Sequence, residues 1–161
     1  MSNPQMVMYE EEFRQISLVI ERLNREANAK VCYLVDKNGQ LIAAAGDTTQ
    51  IDGTSLASLT AGNIAATGGL AKLLGEREFS IVFHEGERDN IHISLIGQRV
   101  ILVVVFDRRS SLGLVRLRVK KTSQDLDTIF QRLLSKTQGM GQTATPFAEL
   151  SDADIDNLFR E

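Results

Sequence analysis

Residues 60–75, TAGNIAATGGLAKLLG, come nearest to a recognisable chemistry: Gly62, Gly68 and Gly69 beside a lysine, Lys72. Glycines whose amides cradle phosphates, with a lysine reaching the terminal ones, make a nucleotide loop when spaced Gly-x-x-x-x-Gly-Lys-Ser/Thr after a strand. This stretch fails that pattern, because Lys72 follows Gly69 by three residues and precedes Leu73. It is not a Gly-x-Gly-x-x-Gly dinucleotide turn either. Leu56, Leu59, Asn63, Ala66, Leu70 and Leu73 carry a helical repeat straight through the glycines. That leaves Ala57, Ala61, Ala65, Gly68, Gly69 and Lys72 as the outward side, with Ser58 and Gly62 beside them. An interior glycine costs a helix about 1 kcal/mol relative to alanine. A side bare of bulk suits close packing against a second chain, or against another helix of the same chain.

The remaining reactive types form no catalytic set. Cys32, the single cysteine, lies in the apolar run VCYLV and reads as a small buried hydrophobe. His84 and His92 flank the turn EGERDN and are expected on opposite sheet faces or diagonal to one another, with no third metal ligand beside them. No nucleophile, base and acid stand in a catalytic order. No cofactor and no metal are expected, and no catalytic residue is assigned. Arg108, Arg109, Arg116, Arg118, Lys120 and Lys121 form a basic group that could meet an acidic partner, an anionic lipid or nucleic acid, or serve as a solvated helix face. Without interleaved aromatics, and with a net charge of -3, nucleic-acid binding has little support.

The elements that position these residues are legible from periodicity. Residues 9–27 place Tyr9, Phe13, Ile16, Ile20, Leu23 and Ala27 on one helix face, with Glu10, Glu11 and Glu12 expected in the first turn, where the helix dipole favours negative charge. Apolar runs 31–35 and 41–45 flank Lys37-Asn38-Gly39-Gln40, a hairpin whose Asn-Gly supplies positive backbone angles. Three further runs, 79–84, 91–96 and 100–106, predict an antiparallel meander. The last is apolar throughout, as suits a strand covered on both faces. In residues 110–136, LVRLRVKK alternates like a strand, but Leu112, Val115, Val119, Thr122, Leu126, Ile129 and Leu133 recur at helical spacing, and the longer window predicts a long helix. The order is helix, two strands, helix, three strands, helix: an α+β fold with a five-stranded antiparallel sheet. No run approaches the roughly 20 apolar residues of a membrane helix, so a soluble, cytoplasmic protein without membrane insertion is expected.

Residues 137–146 read as a flexible linker. Residues 147–161 read as a short amphipathic helix: Ser151 caps it, Asp152 and Asp154 fill its first turn, and Leu150 staples onto Ile155. Phe147, Ile155, Leu158 and Phe159 supply a binding face. Such a helix gains order by laying that face in a groove, most simply on a partner.

With these residues in hand, the chain resembles the Roadblock, or dynein light chain, family, and within it a bacterial branch. The likeness spans residues 9–136 and rests on MYEEEF, LVDKNGQLI, DGTSLASLTAGNIAATGGLAKLLGE, FHEG and SLGLVRLRVKK, with TPFAELSDADIDNLF in the tail. It implies a Roadblock-type α/β sandwich over residues 1–136 and a homodimer whose central helices lie side by side and whose sheets join. It also implies a partner, a small Ras-like GTPase of the MglA type that governs bacterial cell polarity and motility. Members of this branch stimulate GTP hydrolysis by rearranging the GTPase's own catalytic residues, which argues against Arg108 or Arg109 as an inserted finger. The dimer and GTPase interface would then fall on Ala61, Ile64, Ala65, Gly68, Gly69 and Lys72. The tail would be a second GTPase-binding element that modulates nucleotide exchange, and the protein would collect at a cell pole. The competing reading is a Roadblock-type scaffold that holds a GTPase or motor subunit without altering turnover.

Overall fold

The computed structural model describes residues 4–140, and the side chains of residues 10–136. Helix α1 (Pro4–Glu26) leads into strands β1 (Val31–Asp36) and β2 (Leu41–Gly46). Helix α2 (Gly53–Leu74) follows, then β3 (Ile81–Glu85), β4 (Asn90–Ile96), β5 (Val100–Phe106) and helix α3 (Leu112–Met140). The five strands form one antiparallel sheet in the order β2-β1-β5-β4-β3. The meander therefore closes by laying β5 against β1, with Cys32 opposite Val104 and Tyr33 opposite Val103.

Strand β5 is buried at every position, which its unbroken apolar run requires. Its even-numbered residues face α1 and α3, and its odd-numbered residues face α2. The first layer is the larger. Ile16, Ile20, Leu23 and Ala27 of the α1 side pack with Val115, Val119, Leu126, Ile129 and Leu133 of α3 over Cys32, Leu34 and Leu102. Helical spacing thus wins over the alternation of LVRLRVKK, because Val115 and Val119 reach this core from one face of α3. Along the same contact Glu12 meets Lys136 at 2.8 Å, Gln15 meets Arg132 at 3.0 Å, Arg22 pairs with Asp125, and Glu26 stands 3.8 Å from Arg118. As one number rises the other falls, so α1 and α3 run antiparallel.

Three expectations need correction. Helix α1 starts at Pro4, so Glu10, Glu11 and Glu12 lie beyond its first turn and do not serve its dipole. Glu12 instead turns inward, almost wholly buried against Lys136. In the β1–β2 turn only Gly39 takes a positive φ, +90°, and Asn38 does not. The Asp36 carboxylate closes that turn by accepting from the amides of Asn38 and Gln40, both at 2.9 Å. Helix α3 runs on to Met140, four residues into the stretch read as linker. Residues 141–161, with Phe147, Ile155, Leu158 and Phe159, lie outside the described residues.

Candidate functional site

Among the described residues helix α2 is the one helix on the second face of the sheet, and it is fastened at both ends. The Asp52 carboxylate accepts from the Ser55 hydroxyl at 2.7 Å and the Ser55 amide at 3.3 Å, an N-cap whose hydrogen bonds hold its carboxyl below the usual range. Gly75 closes the other end at φ +76°, where its amide reaches the Lys72 carbonyl and the Glu76 amide reaches the Ala71 carbonyl. Two glycines, Gly53 at the first position of the helix and Gly39 on the β1–β2 turn, set how closely it sits. A Cβ on Gly53 would stand 3.3 Å from the Tyr33 ring, and one on Gly39 would stand 3.2 Å from the Ser58 Cα. Tyr33 is fully buried beneath, and burial, with Asp47 and Asp52 nearby, raises its phenol.

The helix then divides into four sides. Towards the sheet point Ala57, Thr60 and Ala71, all buried, with Ile64 half-buried. This corrects the outward placement of Ala57, and in part that of Ala61 and Gly68, which are half-buried. The crest opposite carries Ser58, Gly62, Ala65 and Gly69, all exposed and small. One flank carries Leu59, Ala66, Leu70 and Leu73; the three leucines are 75%, 57% and 83% exposed, so the leucine repeat lies largely outside the core. The other flank is a groove. All six expected interface residues, Ala61, Ile64, Ala65, Gly68, Gly69 and Lys72, line it, facing the hairpin turn at Lys37 and Asn38, the segment 77–79, and Leu95. Sequence periodicity found one wall of this groove and missed the other, since a turn and a strand end distant in the chain form it.

Gly62, Gly68 and Gly69 are the unexplained residues. All three sit within α2, and among the described residues no atom beyond the helix's own neighbouring backbone lies within 4 Å of a Cβ built on any of them. Alanine would fit at each position and stabilise the helix by about 1 kcal/mol. Nothing among the described residues requires the missing methyl groups.

Beside the leucine flank a second, mainly apolar groove runs between α2 and the β3–β4 part of the sheet, lined by Ile51, Leu56, Leu59, His84 and Ile91. Asn63 Nδ2 and His84 Nε2 lie 3.3 Å apart there. His92 is on the other sheet face, buried, so the two histidines do stand on opposite sides. Burial, with Arg116 near, pushes the His92 imidazole below its ordinary value. Burial likewise pushes the Cys32 thiol up to about 12, which suits a packing residue and not a nucleophile. Among the described residues no three His, Cys, Asp or Glu side chains come together as a metal site, and no helix is long and apolar enough to cross a membrane.

Two members of the basic group are paired, and Arg116, Lys120 and Lys121 are exposed on α3. Arg109 grips Asp107 through Nε at 3.1 Å and Nη2 at 3.3 Å, Arg118 faces Glu26, and Arg108 is exposed. The turn that carries Arg109 is tied to the end of α1, where Asn28 donates to the Arg109 carbonyl and Ser110 donates to the Ala27 carbonyl.

Comparison with known proteins then places this arrangement. The Roadblock/LC7 domain matches residues 15–106. MglB of Myxococcus xanthus is 62% identical over 76% of this chain and 92% of its own, with a TM-score of 0.74. The gliding protein MglB of Thermus thermophilus is 36% identical over 73% of this chain and 90% of its own, with a TM-score of 0.68. An MglB with a tetrameric arrangement is 35% identical, covers 73% of this chain and 89% of its own, and has a TM-score of 0.68. A comparison with curated proteins finds no match.

Proposed function

The chain belongs to the Roadblock/LC7 family, and from that premise we propose that it is a homodimeric activator of a small Ras-like GTPase of the MglA type. Its docking surface is the crest and groove of α2, at Ala61, Ile64, Ala65, Gly68, Gly69 and Lys72. The observation that carries this reading is the set of helical glycines whose side-chain space the described residues leave empty. A helix kept thin at a cost of about 1 kcal/mol per glycine makes sense where another main chain must come close.

The two flanks suggest a division of labour. Covering Leu59, Leu70 and Leu73 would be worth roughly 1.5–3 kcal/mol for each leucine fully buried. A second copy of the chain is the simplest cover, with strand β3 at the open edge of the sheet available to pair with its counterpart. The likeness to MglB proteins, one of them in a tetrameric arrangement, supports assembly. The GTPase then takes the bare crest. Hydrolysis is accelerated by repositioning the GTPase's own catalytic groups, as the family resemblance implies, and the pairing of Arg109 with Asp107 is in keeping with that. The tail, with Phe147, Ile155, Leu158 and Phe159, acts as a second GTPase-binding element that modulates exchange.

Multiple-turnover GTP hydrolysis by the purified GTPase, with and without this protein, tests the reading. Stimulation that disappears in Ala65→Arg supports it. Tight binding with unchanged turnover would replace it with the scaffold reading, and stimulation undiminished in Ala65→Arg would refute the surface. Deleting residues 140–161 should weaken the complex and alter exchange; unchanged affinity, hydrolysis and exchange would remove the tail from the account.

A further inference from the structure

The groove on the Lys72 side of α2 differs in chemistry from the leucine flank. At about 100° per residue, its helix residues centre on the order of 140° around the axis from Leu59, Ala66, Leu70 and Leu73. Its floor is apolar and slight, with Ala61, Ile64, Gly68 and Leu95. Its rim is basic. Lys37 on the hairpin turn, Lys72 on the last turn of α2 and Arg77 beyond the Gly75 cap surround it, with Glu78 as the single carboxylate in the lining. Lys37, Lys72 and Arg77 are exposed and form no ion pair among the described residues, although the chain as a whole carries a net charge of -3. Elsewhere on the molecule Lys30, Arg22, Arg109, Arg118 and Lys136 each have a carboxylate partner.

We propose that this groove receives a carboxylate-bearing surface segment of the GTPase, whose backbone lies along Ala61, Ala65 and Gly68 while its acidic side chains meet Lys37, Lys72 and Arg77. The inference rests on the reading of α2 as the GTPase platform and adds the chemistry of what sits there. Three cations on three separate pieces of chain around a narrow apolar floor fix a direction for the incoming segment, which a ring of apolar residues alone would not do. They also discriminate against a GTPase surface that presents basic residues at the same place. A second copy is the poorer occupant, because it would bring its own Lys37, Lys72 and Arg77 to the meeting.

The test is the affinity of the full-length protein for the purified GTPase, loaded with a non-hydrolysable GTP analogue and measured across a salt series. The panel is Lys37→Glu, Lys72→Glu, Arg77→Glu and the triple reversal, with Ala65→Arg as the control for the platform. Each single reversal should weaken binding by about fivefold, as expected for losing one exposed ion pair and gaining one repulsion. The triple reversal should also flatten the fall of affinity with salt. Reversals that leave affinity and salt dependence unchanged while Ala65→Arg abolishes binding would overturn this inference and leave the platform standing. Normal binding by Ala65→Arg would overturn the platform itself. Sedimentation should show the same mass for every reversal; a triple reversal that splits the assembly would assign the groove to a second copy and refute the proposal.

Discussion

Gly69→Arg should make the protein more stable and less able to bind, and the opposite signs make it a sharp test. Gly69 is exposed on the crest of α2, with negative φ, and among the described residues no atom beyond the helix's own neighbouring backbone lies within 4 Å of a Cβ built there. Arginine is nearly as good a helix former as alanine, so the exchange removes most of the roughly 1 kcal/mol that glycine costs in a helix interior. For a chain of this length that corresponds to a melting temperature higher by about 2–4 °C. If a GTPase main chain lies against the crest, the long side chain must hold it several ångströms away. The complex should then weaken by at least about a hundredfold, equivalent to about 2.7 kcal/mol. Thermal unfolding of the protein alone, paired with titration of the GTP-analogue-loaded GTPase, reads both quantities on one sample. Gly69→Ala is the companion, with the stability gain and only a fraction of the binding loss. A lower melting temperature for Gly69→Arg would mean that the chain itself uses the space above Gly69. Undiminished binding would mean that nothing docks on the crest, and either result refutes the reasoning.

Leu70→Asp should leave the fold intact and halve the sedimenting mass, because it places a charge in the flank assigned to the second copy; an unchanged dimer would return that flank to solvent. Burial lowers the His92 imidazole in the folded chain from the ordinary 6.5, so below that pH the unfolded chain binds more protons there than the folded one. Stability should therefore be full above about pH 6.5 and decline as pH falls below it; His92→Leu should flatten that decline in denaturant titrations at pH 7.5 and 5.5. Glu12→Ala should destabilise by about 2 kcal/mol, since Lys136 would lose a buried partner at 2.8 Å while staying only partly solvated. A denaturation midpoint equal to the parent's would show that the α1–α3 contact does not depend on the pair.

Most of the fold was legible because its signals are local. The strand runs, the Gly39 turn and the helical spacing of α3 are each written within a few residues. What was not legible depended on which way an element rolls. Helix α2 has leucines on one side and small residues on others, and the ordinary expectation sends leucines inward. Here Tyr33, filling the sheet face beneath, and Gly39, pressed against Ser58, leave room only for Ala57, Thr60 and Ala71. The small residues near the sheet fit that narrow space, and the leucines turn out. Likewise Glu12 looked like a helix-dipole residue until α1 proved to begin five residues earlier and to bring it against Lys136. Lys37, Arg77 and Leu95 joined the groove through tertiary closure, for which no spacing rule exists.

Helix α2 is arranged at the expense of the single chain. Its 22 residues bury only Ala57, Thr60 and Ala71, expose large leucines, and carry glycines at 62, 68 and 69 that together cost about 3 kcal/mol of helix stability relative to alanine. For a domain stable by about 5–15 kcal/mol in all, that is a large concession. Covering two of the exposed leucines in an assembly would offset it at roughly 1.5–3 kcal/mol each. The glycine deficit is therefore tolerable in a dimer and poorly explained in a monomer. Gly62, Gly68 and Gly69 changed together to alanine should raise thermal stability whatever the oligomeric state, while the leucine flank should contribute only when a second copy is present. Measuring both across protein concentration separates the two contributions. If the stability of the parent protein does not rise with concentration, the leucines are not covered by a second copy and the compensation argued for α2 fails.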